Sequence, residues 1–262
     1  MTLLTTPHCL TLTQSTVMSC LKPKSSPGLI SFQNGQMDKA ALTIRRDWAR
    51  VEVTEIPALM QASSSQVSDV TAGAAILDLA LRRMAGPERM AGLALPIMTS
   101  VDDNLAPYAA LSVIKPGDLV IVTCTGEGKC ALLGDHIIGL YKNAGAAGVL
   151  VNGFVRDLDG LKKLNFPVFA LGTSARAPSK RGPGTVGVSI AISTTTIQAG
   201  DFIVVDEDGA ATIPSTNIHN LEPKLDALFT QDRLIQDRVA SGATKPTNFE
   251  SLLSQAGVHW IT

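Results

Sequence analysis

The sequence predicts a mixed α/β fold with a β-rich second half, and three observations predict it. Short apolar segments alternate with helical segments between about residues 91 and 171, and the links between them are short. After about residue 186, strand-like segments joined by turns replace this alternation. Hydrophobic residues make up 45% of the 262 residues and charged ones 17%, which is enough apolar material for a sizeable core.

Charge and composition exclude several classes of protein. The 22 basic and 23 acidic side chains give a net charge of −1, so the chain lacks the basic surface of a nucleic-acid binder. The composition is unlike that of a disordered, collagen-like or coiled-coil protein. Every apolar run is interrupted before roughly 18 residues, so no membrane span is predicted. We expect a cytoplasmic protein with neither a nucleic-acid nor a membrane partner.

The cysteines fit a reducing compartment. The chain has Cys9, Cys20, Cys124 and Cys130, and none forms a Cys-x-x-Cys pair that would indicate a structural zinc site. Cys124 and Cys130 flank a glycine-rich turn within an apolar stretch. We interpret them as reduced thiols in or near the core, with a redox or nucleophilic role as the alternative.

Residues 1–45 are predicted to be an N-terminal extension, and residues 46–262 one α/β domain with a C-terminal helix. The extension is rich in Ser, Thr and Pro and has no acid before Asp38. It lacks the basic start and apolar centre of a secretory signal, and the absence of Arg before Arg45 argues against a transit peptide. Its purpose is open, and packing against a neighbouring subunit is one possibility.

In the first half, helical spacing of apolar residues predicts helices between about residues 59 and 81, broken at the serines 63–65. The order of elements that follows is strand 91–98, strand 118–124, helix 134–144, strand 148–151, helix 157–164 and strand 167–171. This order predicts parallel βαβ units, whose strands are apolar on both faces.

In the second half, residues 186–192 and 202–205 are predicted to be strands. The Asp-Glu-Asp-Gly segment 206–209 predicts a hairpin turn, and residues 210–213 its return strand. A final amphipathic helix over about residues 221–240 places Leu225, Ile235 and Val239 on one side.

The first candidate site is Gly134 followed by Asp135 at the start of a predicted helix. Backbone N–H groups at a helix start lack helical partners and carry partial positive charge, so they can bind a carboxylate or phosphate. The alternative is that Asp135 simply caps its helix.

The second candidate site is Arg156 followed by Asp157, just after a buried strand. Ligands of open α/β sheets bind at the carboxyl ends of strands. Arg offers two parallel donors to a substrate carboxylate, and Asp offers an oxygen ligand to Mg²⁺ or Mn²⁺. The alternative is an ordinary surface ion pair. The pair Lys180-Arg181, beside the Gly-Pro-Gly segment 182–184, is either part of a solvated loop or a contact for an anionic substrate.

Between about residues 91 and 214, the chain resembles the family of the ribonuclease-activity regulator RraA and the class II 4-hydroxy-4-methyl-2-oxoglutarate aldolases. The matching segments are 91–92, 103–104, 115–118, 134–135, 145–149, 153–157, 166–170 and 200–209. The resemblance implies a swivelling β/β/α domain, an α-β-β-α sandwich, that assembles as a homotrimer or a dimer of trimers with sites between subunits. Phe154 stands where a small residue is usual in the family, and we expect it to reshape the pocket.

The resemblance also implies roles for the candidate residues. Arg156 would bind the carboxylate of a 2-oxo acid, and Asp157 would ligate Mg²⁺ or Mn²⁺. Asp135 would position a water molecule on the metal. Gly134 and the backbone amides of His136 and Ile137 would help to hold the substrate carboxylate. A catalytic role for the His136 side chain is an alternative to an exposed histidine on the helix surface.

The implied reaction is retro-aldol cleavage of a 4-hydroxy-2-oxo acid, decarboxylation of oxaloacetate, or both, through a pyruvate enolate. The regulator branch lacks both acids that this chain retains, Asp135 and Asp157, so an enzyme is favoured. The alternatives are recruitment to another metal-assisted step and a non-catalytic regulator that binds proteins. For an acid contributed by a neighbouring subunit, Glu222, Asp232 and Asp237 are candidates, and solvated charge on the helix face is the alternative for each.

Overall fold

The computed structural model describes residues 42–261. The strands in this range are β1 (Leu42–Ile44), β2 (Ile76–Leu77), β3 (Arg82–Ala85), β4 (Met90–Thr99), β5 (Asp118–Cys124), β6 (Ala131–Leu133), β7 (Gly148–Val155), β8 (Val168–Thr173), β9 (Gly184–Val186), β10 (Ile190–Ile192), β11 (Thr195–Ile197), β12 (Phe202–Val205) and β13 (Ala210–Ile213). The α-helices are α1 (Pro57–Gln61), α2 (Ser64–Thr71), α3 (Leu105–Ala110), α4 (Asp135–Asn143), α5 (Leu158–Leu164), α6 (Ile218–Ala240) and α7 (Phe249–Ala256).

The centre of the main sheet is parallel, as the alternating segments predict. Strands β4, β5, β7 and β8 are neighbours in that order, and each pair is parallel. Helices α3, α4 and α5 lie in the connections between them. The predicted βαβ units are therefore confirmed, and the carboxyl ends of these strands meet at one edge of the sheet.

Both faces of the parallel strands are buried. Val120 and Val122 of β5 belong to a core cluster that includes residues of α4 and α5. Leu119 and Ile121 belong to a second cluster on the opposite face, with residues of the β10–β11 hairpin. Period-two alternation therefore places apolar side chains in two different cores. A rigid centre of this kind holds the loops at the strand ends in place.

The predicted hairpin at residues 206–209 is confirmed. Strands β12 and β13 pair antiparallel, and β12 also pairs antiparallel with β4. Asp206 accepts hydrogen bonds from the Ser64 backbone N–H (2.7 Å) and Oγ (2.6 Å) at the start of α2. Its carboxylate thus joins the turn to a helix, which is a structural role.

Two predicted elements are wrong in detail. Residues 76–81 are not helical: Ile76–Leu77 form β2, and residues 78–81 have no regular structure. Leu77, Leu79 and Leu81 face the core while the residues between them are exposed, a period of two rather than 3.6. The predicted strand 186–192 is interrupted near Gly187, whose φ of 71° breaks the extended conformation and separates β9 from β10.

The final helix is confirmed, and it begins three residues earlier than predicted. Leu225 is fully buried against the core formed with α1 and β12. Ile235 and Val239, predicted on the same apolar side, are 51% and 65% exposed. The first half of α6 therefore packs against the core, and the second half is exposed on the side that was predicted to be apolar.

A buried ion pair explains the Lys-Pro-Gly-Asp segment at 115–118. Asp118 is 1% exposed, and both of its oxygens accept hydrogen bonds from Arg50, Oδ1 from Nε and Oδ2 from Nη2, each at 3.1 Å. Asp118 Oδ2 also accepts the Lys115 backbone N–H at 2.9 Å. The Arg50 guanidinium stacks 3.8 Å from the Trp48 ring. This arrangement joins the chain before α1 to the start of β5.

Most of the predicted extension, residues 1–41, lies outside the described residues, as do Cys9 and Cys20. Its last residues form β1, which pairs in parallel with β9. Cys124 and Cys130 are free thiols, and burial raises the pKa of both, which disfavours the reactive thiolate. Between residues 42 and 261, no helix combines the length and apolar character needed to cross a membrane.

Candidate active site

A cleft of about 60 Å³ opens where β6 and β7 end. All six of the predicted site residues line it, which are Gly134, Asp135, His136, Ile137, Arg156 and Asp157. Other lining residues include Asn104, Tyr108 and Lys180. Two motifs separated by about twenty residues in the sequence therefore lie at a single site.

The pairing of β6 with β7 brings the motifs together. The two strands are parallel, with Leu133 opposite Val155, so both end in the same direction. The Arg156 N–H continues the pairing by donating to the Leu133 carbonyl at 3.1 Å. Gly134 and Arg156 consequently leave the sheet side by side, one entering α4 and the other leading to α5.

Arg156 and Asp157 form an ion pair at the mouth of the cleft. Arg156 Nε lies 3.2 Å from Asp157 Oδ2, and the side chains are 39% and 45% exposed. Asp157 has φ 61° and ψ 48°, a left-handed conformation that costs a non-glycine residue free energy. Both groups remain accessible to a ligand, and strain of this kind is often found at functional sites.

The carboxylate of Asp135 lies against its own helix start. Asp135 is the first residue of α4, its N-cap is Gly134, and Asp135 Oδ1 accepts the N–H of the adjacent His136 at 2.7 Å. Its other oxygen lies on the side of Gly160 in α5. The alternative that Asp135 simply caps its helix is therefore wrong, because α4 has no side-chain cap hydrogen bond. Asp135 lines the cleft and stays a candidate site residue.

Two glycines allow the acids to sit where they do. A Cβ on Gly134 would lie 2.5 Å from Asp157 Oδ2, and a Cβ on Gly160 would lie 2.7 Å from Asp135 Cγ. Both distances are too short for a real contact, so a side chain at either position would displace the carboxylate that faces it. Sequence reasoning missed Gly160, although a glycine inside a helix is itself a signal because it costs about 1 kcal/mol relative to Ala.

His136 and Ile137 differ in the exposure of their side chains and in the availability of their backbone N–H groups. The His136 side chain is 94% exposed, and its Nε2 lies 4.0 Å from Asp135 Oδ1. Ile137 is 2% exposed and packs in the core. Of these two residues, Ile137 has the backbone N–H suited to an anionic ligand, because the His136 N–H already donates to Asp135.

Asn104 and Tyr108 are site residues that sequence reasoning missed. Asn104 is 6% exposed, and its Nδ2 donates to the Leu132 carbonyl at 3.2 Å. Its Oδ1 is buried without a hydrogen-bond partner among residues 42–261. Tyr108 is 36% exposed on α3. Only the three-dimensional packing of α3 against β9 and β4 brings these residues to the cleft.

The expectation that Phe154 reshapes the pocket is wrong. Phe154 is not among the residues that line the cleft. A Cβ on Gly172 would lie 3.4 Å from its ring, so Phe154 covers the neighbouring strand β8 instead. Side chains on β7 alternate between faces, and the register places residue 154 away from the site.

Two of the three candidate acids of α6, Glu222 and Asp232, are bonded within their own chain. Glu222 accepts the backbone N–H groups of Ala58 (3.0 Å) and Leu59 (2.8 Å) and so caps the start of α1. Asp232 accepts a hydrogen bond from Gln66 at 2.9 Å, and Asp237 is exposed. Glu222 is thus neither a free acid nor a solvated charge.

The donor set fits Mg²⁺ or Mn²⁺. Asp157 supplies a half-exposed carboxylate, and Asp135 supplies a second carboxylate in the same cleft. Within the described range, no three His, Cys, Asp or Glu side chains are grouped as a metal site. Mg²⁺ is commonly held by one or two carboxylates, with water and substrate as the other ligands, whereas catalytic Zn²⁺ takes three protein ligands.

Comparison with known sequences supports the family that the site motifs indicate. Residues 46–211 match the model of the RraA-like family, described as Aldolase/RraA. A protein of Halalkalibacterium halodurans is 31% identical over 195 residues, covering 73% of this chain and 93% of its own. A protein of Burkholderia multivorans is 35% identical over 134 residues, covering 51% and 81%. Both carry the name "putative 4-hydroxy-4-methyl-2-oxoglutarate aldolase".

Solved structures confirm the predicted fold class. The RNA-processing inhibitor RraA from Thermus thermophilis has a TM-score of 0.55 and 28% identity, covering 59% of this chain and 94% of its own. An uncharacterized protein from Pseudomonas syringae pv. tomato has a TM-score of 0.66 and 21% identity, covering 80% and 100%. At 21% identity, the likeness to the Pseudomonas syringae protein supports the fold alone. The same architecture thus occurs in a relative described as an inhibitor.

Proposed function

Because this chain belongs to the RraA-like family (Aldolase/RraA), we propose that it is a divalent-metal-dependent carbon–carbon lyase acting on 2-oxo acids. The proposed reactions are retro-aldol cleavage of a 4-hydroxy-2-oxo acid and decarboxylation of oxaloacetate. Each reaction releases pyruvate. The observation that carries the proposal is the meeting of Arg156, Asp157 and Asp135 in one cleft at the strand ends.

Asp157 would hold Mg²⁺ or Mn²⁺, and Asp135, in the same cleft, would position a water molecule on the ion. When bound, the metal ion would stabilise the negative charge that develops on the keto oxygen of the substrate. The ion pair with Arg156 fixes the orientation of Asp157 through its Oδ2.

Arg156 would bind and orient the substrate carboxylate. Its guanidinium is 39% exposed, so it can bind a ligand without leaving Asp157. A planar guanidinium can donate two parallel hydrogen bonds to a carboxylate, which a lysine cannot do. The Ile137 N–H at the helix start would support the same negative charge.

Asp135 would handle the proton. Retro-aldol cleavage removes a proton from the 4-hydroxyl group, and release of pyruvate adds one to its methyl carbon. Asp135 is the acid of the cleft that has no ion pair with Arg156, and its Oδ2 lies on the side of Gly160. Holding or passing that proton through one water molecule is within the ordinary reach of a carboxylate.

We further propose that the protein is cytoplasmic and that it assembles as a homotrimer or a dimer of trimers.

The second candidate function is a protein-binding regulator, which is favoured by the likeness to an RNA-processing inhibitor at 28% identity. The two acids in the cleft favour the lyase instead, because a binding surface for another protein has no need of a metal-ligating pair.

The test is pyruvate release from 4-hydroxy-4-methyl-2-oxoglutarate and from oxaloacetate, measured with Mg²⁺ or Mn²⁺ and after addition of EDTA. Asp157→Asn is compared with Asp159→Asn, a matched loss of one charge two residues away on the exposed side of α5. We expect turnover that EDTA abolishes, that Asp157→Asn lowers by roughly 10³-fold or more, and that Asp159→Asn leaves intact.

Three other outcomes would each mean something different. Turnover that resists EDTA would contradict metal dependence. Absence of turnover with measurable Mn²⁺ binding would point to another metal-assisted reaction. Absence of both would overturn the lyase proposal and favour the regulator.

A further inference from the structure

A groove of about 550 Å³ lies between the end of α2 and the start of α6, and the residues that line it differ from those of the candidate active site. They come from the last turn of α2 and the loop after it, from the end of β13 and the loop after it, and from α6. The volume falls within the range of about 300–1,000 Å³ that is usual for small-molecule sites. We call this cavity the α2–α6 groove.

The floor of the α2–α6 groove is apolar. Val70, Ala75, Ile213 and Leu221 line it, and all four belong to or pack against the core cluster that joins α1, α2 and α6. Ile213 and Leu221 are only 1% and 7% exposed, so the groove opens onto the edge of this core. An apolar group placed against the floor would leave water and extend the core.

Two side chains of opposite charge line the groove from different helices. Asp69 belongs to α2 and Lys224 to α6, and both are exposed. Among residues 42–261, the ion pairs within 4.0 Å involve neither of them. The groove therefore offers a ligand one negative and one positive group beside an apolar floor.

The helix ends add to the same polarity. Asp69 lies in the last turn of α2, where no basic side chain offsets the partial negative charge of the helix end. At the start of α6, the N-cap residue Asn217 lines the groove and makes no side-chain cap hydrogen bond, and the first turn contains no acid. The N–H groups of such a turn carry partial positive charge. The α2 side of the groove thus favours a cation and the α6 side an anion.

We infer that the α2–α6 groove is a second binding site, which takes a zwitterionic α-amino acid with a bulky apolar side chain. The ammonium of the amino acid pairs with Asp69, and its carboxylate pairs with Lys224 near the start of α6. Its side chain covers the apolar floor, and the volume is large enough for phenylalanine. A ligand with a single charge would leave either Asp69 or Lys224 without a partner.

The test is calorimetric titration of the full chain with L-phenylalanine and with two analogues that each lack one charge. 3-Phenylpropanoate lacks the ammonium, 2-phenylethylamine lacks the carboxylate, and both keep the apolar side chain. We expect L-phenylalanine to bind with a Kd below about 1 mM. Each analogue should bind at least roughly tenfold more weakly, as for the loss of a hydrogen bond between charged groups.

Variants assign the binding to the groove. Lys224→Met and Asp69→Asn should each weaken L-phenylalanine binding at least roughly tenfold. Lys163→Met and Asp159→Asn remove the same charges from exposed positions of α5, which do not line the groove, and should have no effect. Ala74→Leu, at an exposed lining residue, would fill part of the groove without a change of charge and should also weaken binding.

The inference and the proposed function can fail separately. Asp157→Asn, in the cleft, should leave L-phenylalanine binding unchanged because the two sites have no lining residue in common. Absence of binding at about 10 mM L-phenylalanine would overturn the inference. So would equal affinity for either analogue, or an affinity that Lys224→Met or Asp69→Asn leaves unchanged. None of these results bears on the release of pyruvate.

Discussion

Two Arg–Asp pairs in this chain use the same chemistry for different purposes. In the Arg50–Asp118 pair the side chains are 15% and 1% exposed, and both carboxylate oxygens are bonded to the guanidinium. In the Arg156–Asp157 pair they are 39% and 45% exposed, only one oxygen is engaged, and the acid has a left-handed backbone. An ion pair whose carboxylate is fully bonded within the protein stabilises the fold, whereas a half-exposed, strained pair can accept a ligand.

The sharpest test of this difference is stability. Asp118→Asn leaves Arg50 buried without its counterion, and we expect the free energy of unfolding to fall by about 3–5 kcal/mol. Asp157→Asn removes a half-exposed pair and should cost less than about 1 kcal/mol. Denaturant unfolding of both variants measures the two values. Similar losses of unfolding free energy in the two variants would mean that both ion pairs contribute equally to the stability of the fold.

Gly160 offers a way to disturb the site without touching a charge. A Cβ at this position would collide with Asp135, so Gly160→Ala should displace that carboxylate and lower kcat for pyruvate release by roughly 10²-fold. Gly139→Ala is the matched control in α4, because its nearest neighbours are side-chain methyl groups of Leu164 at 3.6 Å or more. Equal activities of the two variants would show that the position of Asp135 does not matter.

Asp103 is a third buried acid, and it bonds the loop 174–183, the strap, which connects β8 to β9. Burial raises the pKa of its carboxyl, but hydrogen bonds from Ser179, Arg181 and Leu105 lower it by more, so the net pKa lies below the ordinary value. The stability that this gives is present above the unfolded pKa of about 3.9 and is lost as the pH falls through the folded pKa.

Asp103→Ala should therefore cost about 1–3 kcal/mol at pH 7, because donors of the strap lose their acceptor. The difference from the unmodified protein should shrink as the pH falls below about 4. Denaturant unfolding across this pH range is the measurement. A difference that is constant with pH would show that Asp103 does not act through its charge.

Much of the fold follows from local patterns, and the failures have physical reasons. Strand β5 was predictable because it is a continuous apolar run after the Lys-Pro-Gly turn at 115–117. Helix α4 was predictable because its apolar residues 137, 138 and 141 share one helical face. Residues 76–81 are rich in Leu and Ala, which favour helix, and this hides a period of two that only the edge of the sheet enforces.

The site was predictable where residues adjacent in sequence act together, as at Gly134–Asp135 and Arg156–Asp157. Tyr108, Lys180 and Gly160 lie on three other segments, and their meeting depends on how α3, the strap and α5 pack. Lys180 carries no local signal that distinguishes it from a solvated lysine. Contacts of this kind require the three-dimensional structure.

Mn²⁺ binding at Asp157 tests the central claim most directly. Calorimetric titration of the unmodified chain should give one site per chain, and Asp157→Asn should weaken it by roughly 10- to 100-fold. Asp118→Asn, measured where it remains folded, should leave Mn²⁺ affinity unchanged because Asp118 is bonded within the protein. Unchanged Mn²⁺ affinity in Asp157→Asn would contradict the account.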